Sequence, residues 1–200
     1  MKRELNLMTL ALAAAVALPA QALAQTPQAP KTPPATSKPA TTDQKPTTDA
    51  KTSASADSAF MHTAAIGGMA EVELGKLAVA NATSSDVKQF AQRMVDDHSK
   101  ANDELKALAA QKSVKLPAEL DAKHKAVVDK LAKQKGAGFD AAYMSEMVND
   151  HNTDVALFQK ESKSGKDAET KAWAAKTLPT LQEHQKMAKE IHAKTGKGTQ

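Results

Sequence analysis

An all-α domain, four long helices joined by a shorter crossover helix, is the fold class this sequence predicts. Two observations predict it. From residue 57 to residue 200, apolar residues recur at helical spacing with almost none of the alternation that strands require. Each periodic stretch is also bounded by residues that start or stop helices: Ser84 and Ser85, Pro117, Gly136 and Gly138, Gly165 and Asp167.

Helix 1 is expected to start after Asp57 or Ser58, either a good N-cap, and to run to about Ala82, with Phe60, Ala64, Gly67, Glu71, Leu74 and Ala78 on one face. Glu71 thus falls inside an apolar stripe. Helix 2, capped by Ser84 or Ser85, runs to about Gln111 and carries Val87, Ala91, Met94, His98, Ala101, Leu105 and Leu108 on its seam. Pro117, at home in a first helical turn, opens a shorter helix 3 that ends near Lys135 before the glycines. Helix 4 is expected from Phe139 to about Ser162 with Met144, Met147 or Val148, His151, Val155 and Phe158 inward. Helix 5 starts at Asp167 and carries Trp173, Thr177, Leu181, His184, Ala188 and Ile191, and Pro179 is expected to kink or split it near Thr177. The long helices are each about 25 residues, some 37 Å. Helix 3 can travel much of that length, which makes helices 2 and 4 parallel, the connectivity of ferritin-like bundles.

Two segments precede this domain. Residues 1–24 read as a secretory signal peptide: Lys2 and Arg3, an apolar run from Leu10 to Leu18, then Ala22-Leu23-Ala24. The run is too short to cross a bilayer, and no later stretch is both long and uncharged. The mature chain is therefore expected in the periplasm or outside the cell. Residues 25–56 hold six prolines and eight threonines with no large apolar side chain, so they cannot offset ordering entropy and read as a disordered tail. The leader carries a net +1 and the tail +2, leaving +1 of the chain's +4 for residues 57–200. Interspersed lysines and few aromatics give no basic stripe with stacking residues, so nucleic acid is not an expected partner. The chain has no cysteine, which excludes disulfides, thiolate ligands and a lipid anchor on that residue.

Half of the six histidines follow an acid, as Asp97-His98, Asp150-His151 and Glu183-His184. In each pair the helical phase turns the histidine inward. Imidazoles and carboxylates converging inside a bundle are how metal sites are built. The candidate ligands are Glu71, His98, His151 and His184, with Asp97, Asp150, Asp154 and Glu183 beside them. Neighbours on a helix point about 100° apart, so an acid and its histidine do not both aim at one ion. Either one of them ligates, or an acid on one helix orients the histidine of the next. Asp154 shares His151's face three residues on, and Glu146, Asp150 and Asp154 form an acidic ridge, either a solvated face or a cation site. Iron, manganese or zinc suits such ligands. Copper(I) would need Met94, Met147 or Met187, and methionine at this spacing is ordinarily core. Arg93, four residues before Asp97, is placed for an ion pair. Met94-Val95-Asp96-Asp97-His98 and Met147-Val148-Asn149-Asp150-His151 echo one another at an offset of 53, implying similar surroundings for two of the histidines.

Four motifs carry a family resemblance that spans Phe60 to about Ala193. They are Ala-Ala-Ile-Gly-Gly-Met-Ala-Glu-Val-Glu-Leu-Gly (64–75), Phe-Ala-Gln-Arg-Met-Val-Asp-Asp-His (90–98), Phe-Asp-Ala-Ala-Tyr-Met (139–144) with Asp150-His151, and Thr-Leu-Pro-Thr-Leu-Gln-Glu-His (177–184). Together they resemble the exported bacterial family called domain of unknown function 4142, regarded as ferritin-like and often labelled a predicted outer membrane protein. The resemblance implies a fold and no established activity. The ten-residue alternating segments of a membrane barrel are absent from the sequence, as is the Glu-x-x-His of di-iron bundles.

Three functional classes follow. The first is a metal-binding or metal-storage bundle using Glu71, His98, His151 and His184. The second, an oxidase-like enzyme, lacks a readable substrate pocket or proton relay, so the chain reads as a binding or structural protein before a catalyst. The third is a non-catalytic envelope or stress-related bundle that binds a protein partner. Its acid-histidine pairs would then fix helix register or act as a latch charging near pH 6 to 7.

Overall fold

A computed structural model describes residues 48–195, with side chains from residue 56. Five helices make up this region: α1 Thr48–Asn81, α2 Ser85–Gln111, α3 Ala122–Ala132, α4 Gly136–Ser164 and α5 Ala168–Thr195. The signal peptide and most of the Pro/Thr-rich tail lie outside the described residues. The fold is an all-α, ferritin-like bundle, with α1 and α2 forming one hairpin, α4 and α5 the other, and α3 packed mainly on α1.

Two apolar clusters fix the helix directions. One gathers Leu74 and Ala78 of α1, Val87, Phe90 and Met94 of α2, Phe139, Tyr143, Met144 and Met147 of α4, and Ala188 and Ile191 of α5. The other gathers Phe60, Met61, Ala64 and Ala65 of α1, Leu105, Leu108 and Ala109 of α2, Val155 and Phe158 of α4, and Trp173, Ala174 and Leu181 of α5. The start of α1, the end of α2, the end of α4 and the start of α5 therefore share one end of the bundle. Helices α2 and α4 run parallel, and the segment containing α3 crosses from one end to the other. On all four long helices, the residues between the two clusters include a buried ionisable side chain, Glu71, His98, His151 and His184, exposed by 2%, 5%, 0% and 0%, and α2 adds the buried Asn102.

Several element boundaries differ from the sequence expectation, each for a physical reason. Helix α1 begins at Thr48, just past Pro46, the last proline of the tail, and so continues N-terminal to Asp57. Asp57 does not cap α1. Its buried carboxylate accepts from the backbone N–H of Lys166 (3.1 Å) and of Asp167 (2.6 Å), holding the α4–α5 turn. Ser84 occupies the N-cap position of α2 without a side-chain cap bond. The work passes to buried Asp140 of α4, which accepts from Thr83 N (3.0 Å), Thr83 Oγ1 (2.6 Å) and Ser84 N (2.8 Å). Thus each hairpin turn is held by an aspartate from the opposite hairpin. Helix α3 opens at Asp121, whose side chain accepts from His124 N at 2.9 Å, leaving Pro117 in the preceding loop. Helix α4 starts at Gly136, at φ 60°, and passes through Gly138. Helix α5 is continuous through Pro179. Both Pro179 and Ala175, whose carbonyl the proline ring leaves without its N–H, are exposed, so water can satisfy the freed group.

Candidate metal centre

The three histidines meet at mid-bundle. Ring centroids lie 5.7 Å apart for His98 and His151, 5.3 Å for His98 and His184, and 5.4 Å for His151 and His184. One nitrogen of each ring falls within 4.8 Å of the other two.

Each ring has one nitrogen tied and one free. His98 Nδ1 is 2.8 Å from Glu71 Oε2, and His184 Nε2 is 2.8 Å from Asp97 Oδ2. His151 Nδ1 donates to the Met147 carbonyl at 2.9 Å and lies 3.4 Å from Glu71 Oε1. A carbonyl can only accept, so the His151 proton is on Nδ1, and a carboxylate acceptor fixes the proton of the other two in the same way. The opposite nitrogens, His98 Nε2, His151 Nε2 and His184 Nδ1, are buried without a hydrogen-bond partner. A neutral imidazole whose N–H is used outward presents a lone pair on its other nitrogen, the arrangement that orients histidine toward a metal.

The electrostatics follow from four titratable groups in a small volume. Burial alone would raise the Glu71 carboxyl, but the attraction of His98 and His151, the His98 hydrogen bond and the pull of His184 hold it at about 2. Burial works against a charged His98, and the Glu71 carboxylate outweighs it, so His98 is raised. His151 is lowered, by burial first and then by His98, against the pull of Glu71. His184 drops to about 4, through burial and the neighbouring imidazoles, despite its bond to Asp97. His151 and His184 are therefore neutral at pH 7, the form in which imidazole can bind a metal.

The remaining candidates take other places. Asp97 is the orienting acid, bonded to His184 across the α2–α5 interface, so the second of the two open arrangements holds for this pair. Arg93 Nε is 3.2 Å from Asp97, and its terminal nitrogens reach Glu183 Oε2 at 2.8 Å and Met187 Sδ at 3.2 Å. Glu183, with its side chain 56% exposed, serves Arg93 and does not face the histidines. Asp150 and Asp154 line a chamber of about 190 Å³ beside Glu71, with Asp121, Lys123 and His124. Asp150 is pushed up to about 7 by burial, then by Glu71 and Glu146. Asp154 is raised well above the usual range by burial, then by Glu71 and Asp150. A like-charged wall of this kind is half-buried, not a freely solvated ridge. Met94 and Met147 pack in the apolar cluster, as core methionines do.

Three features had no sequence signal or a weak one. The Met147 carbonyl is backbone and unreadable from side-chain pattern. Asn102, buried one turn after His98, shares a cavity of about 30 Å³ with Glu71, His98 and His184; its i+4 spacing from His98 was the available clue. The reach of Arg93 to Glu183 needs the α2–α5 register.

The donor set fits a transition metal. A tetrahedral ion sets its nitrogens roughly 3.4 Å apart at metal–nitrogen distances of about 2.0–2.1 Å, so separations of up to 4.8 Å would have to close toward that value on binding. A donor set dominated by three imidazoles suits zinc, copper(II) or nickel better than manganese.

Similarity to known proteins agrees with the architecture. Among solved structures, the chain is similar to the "putative secreted protein DUF305 from Streptomyces coelicolor", at 14% identity and a TM-score of 0.60, over 70% of this chain and 92% of that one. That likeness concerns the fold. No curated protein matches the sequence. Residues 41–191 match the family described as "Domain of unknown function (DUF4142)". The chain belongs to this family.

Proposed function

We propose that this protein is an exported metal-binding bundle that holds one zinc-class ion between the two halves of its core. His98 Nε2, His151 Nε2 and His184 Nδ1 are the ligands. Glu71, Asp97 and the Met147 carbonyl orient them from behind. The observation that carries the reading is that three buried histidines from three helices bring one nitrogen each within 4.8 Å of one another, and that each ring has one buried nitrogen without a hydrogen-bond partner. Buried polar atoms without partners are costly, on the order of 1–3 kcal/mol each, and coordination to one ion satisfies all three. Export is supported by the leader-like residues 1–24, and no helix among the described residues is long and apolar enough to cross a membrane.

The test is metal analysis of the protein exported and purified without an affinity tag, compared with His98→Ala, His151→Ala and His184→Ala. One equivalent per chain, lost in every variant while helicity is retained, is expected. A metal-free wild type whose melting temperature is unmoved by zinc, iron, manganese or copper would sink the reading.

A second reading has its own support. The Glu71–His98 pair ties α1 to α2, and the Arg93–Asp97–His184–Glu183 network ties α2 to α5. In an envelope protein that only docks a partner, these contacts would set helix register. The same metal analysis separates the two, because register pairs bind no ion.

A further inference from the structure

Resting on the three-histidine reading, we infer that the ion keeps an open position for one small hydrogen-bond-accepting ligand of azide size. The cavity that His98 and His184 line continues past them to Asn102 and Trp173, and its volume of about 30 Å³ accommodates a small molecule of one to three atoms. Its donors are built in. The Trp173 indole Nε1–H is buried with no acceptor, on a side chain 8% exposed. The Asn102 residue is 9% exposed, and its carboxamide makes no hydrogen bond to another group.

The chain makes room for that amide. A Cβ on Gly68 would collide with Asn102 Oδ1 and lie 3.2 Å from Nδ2, so only glycine at 68 lets the carboxamide stand where it does. Some polar groups of the cavity are already engaged: Glu71 Oε2 by His98, Asp97 by His184 and Arg93, and Thr177 by the Trp173 carbonyl. Phe158, Leu181 and Ala64 supply apolar wall. The unpartnered Trp173 N–H and the Asn102 amide, beside His98 and His184, therefore describe a pocket for a ligand that accepts hydrogen bonds while it binds the ion. A closed structural site would instead supply a fourth protein ligand. Among the described residues, the one buried oxygen without a partner that belongs to a residue lining this cavity is Glu71 Oε1, on a carboxylate whose Oε2 is already bonded to His98.

Cobalt(II) is the probe, since its visible bands report coordination. The full-length protein loaded with one equivalent of cobalt is titrated with azide. A saturable spectral change is expected. Asn102→Ala and Trp173→Phe are expected to keep one cobalt and to bind azide at least tenfold more weakly. Cobalt bound with a spectrum that azide leaves unchanged overturns the inference while leaving the three-histidine reading standing, as does wild-type azide affinity in both variants. Failure to take up cobalt at all overturns both.

Discussion

At the scale of single residues, Glu71 does more than contribute a charge. It accepts the Nδ1–H of His98, fixing that ring from another helix, and its second oxygen lies 3.4 Å from the Nδ1 of His151, whose proton goes to the Met147 carbonyl. Partners of this kind typically govern metal affinity by tenfold to a hundredfold. Glu71→Gln, which keeps the volume and removes the charge, is expected to weaken zinc binding in that range without abolishing it, measured by competition with a chromophoric chelator. Asp97→Asn is expected to do the same through His184. Equal zinc affinity in both variants would show that neither acid orients a ligand. The histidines and Glu71 were legible in the sequence because an ionisable residue interrupts an otherwise apolar stripe. The roles of Asp97 and Glu183 were not, because adjacent residues on a helix diverge and only the neighbouring helix decides which one is used. Asp97 faces α5 and finds His184; Glu183 faces outward and finds Arg93.

At the scale of elements, the two hairpins depend on two aspartates that cross between them. Asp140 satisfies two backbone N–H groups and a hydroxyl in the α1–α2 turn, and Asp57 satisfies two N–H groups in the α4–α5 turn. Asp140→Ala is expected to destabilise the domain by about 2–3 kcal/mol, because it leaves donors unpaired at a helix start, read from urea unfolding. The close approach of α1 and α2 depends on Gly75, where a Cβ would stand 2.9 Å from Val95 Cγ2 and 3.0 Å from the Ala91 carbonyl. Gly75→Ala is expected to cost about 1–3 kcal/mol through overpacking. A pH effect belongs here too. Burial, and then the charge of Asp57, pushes Glu161 from 4.5 up to about 7. Between those values the folded chain keeps a proton that the unfolded chain gives up. Its contribution is therefore complete below about pH 4.5 and declines as pH rises toward 7. Glu161→Gln is expected to flatten the urea midpoint over this window relative to wild type, and parallel curves for the two proteins would contradict it. Helix periodicity revealed every one of these elements. Their ends were less legible, since α1 continues through an alanine- and serine-rich stretch that favours neither state, and long-range caps leave no local mark.

At the scale of the molecule, one polar layer divides two apolar clusters. A bundle of this size could have filled its centre with leucine, and a layer of Glu71, His98, His151 and His184 gains stability only when its lone pairs have a partner. The parallel placement of α2 and α4 brings the echoed Met-Val-x-Asp-His segments to the same depth, and the crossover through α3 makes that placement possible. Connectivity was legible from helix lengths and loop lengths. The common depth of the four residues was not, because a one-turn slip of any helix leaves the seam apolar and moves its polar residue about 5.4 Å. Metal at a hundredfold excess over its dissociation constant would add about 2.7 kcal/mol to stability, which corresponds to a rise of roughly 5–10 °C in melting temperature. The most direct test is X-ray absorption at the zinc edge of the protein loaded with one equivalent. Three imidazole nitrogens in the first shell are the expected result. A shell of oxygen alone, or fewer than three imidazoles, would contradict the assignment of His98, His151 and His184 to a single ion.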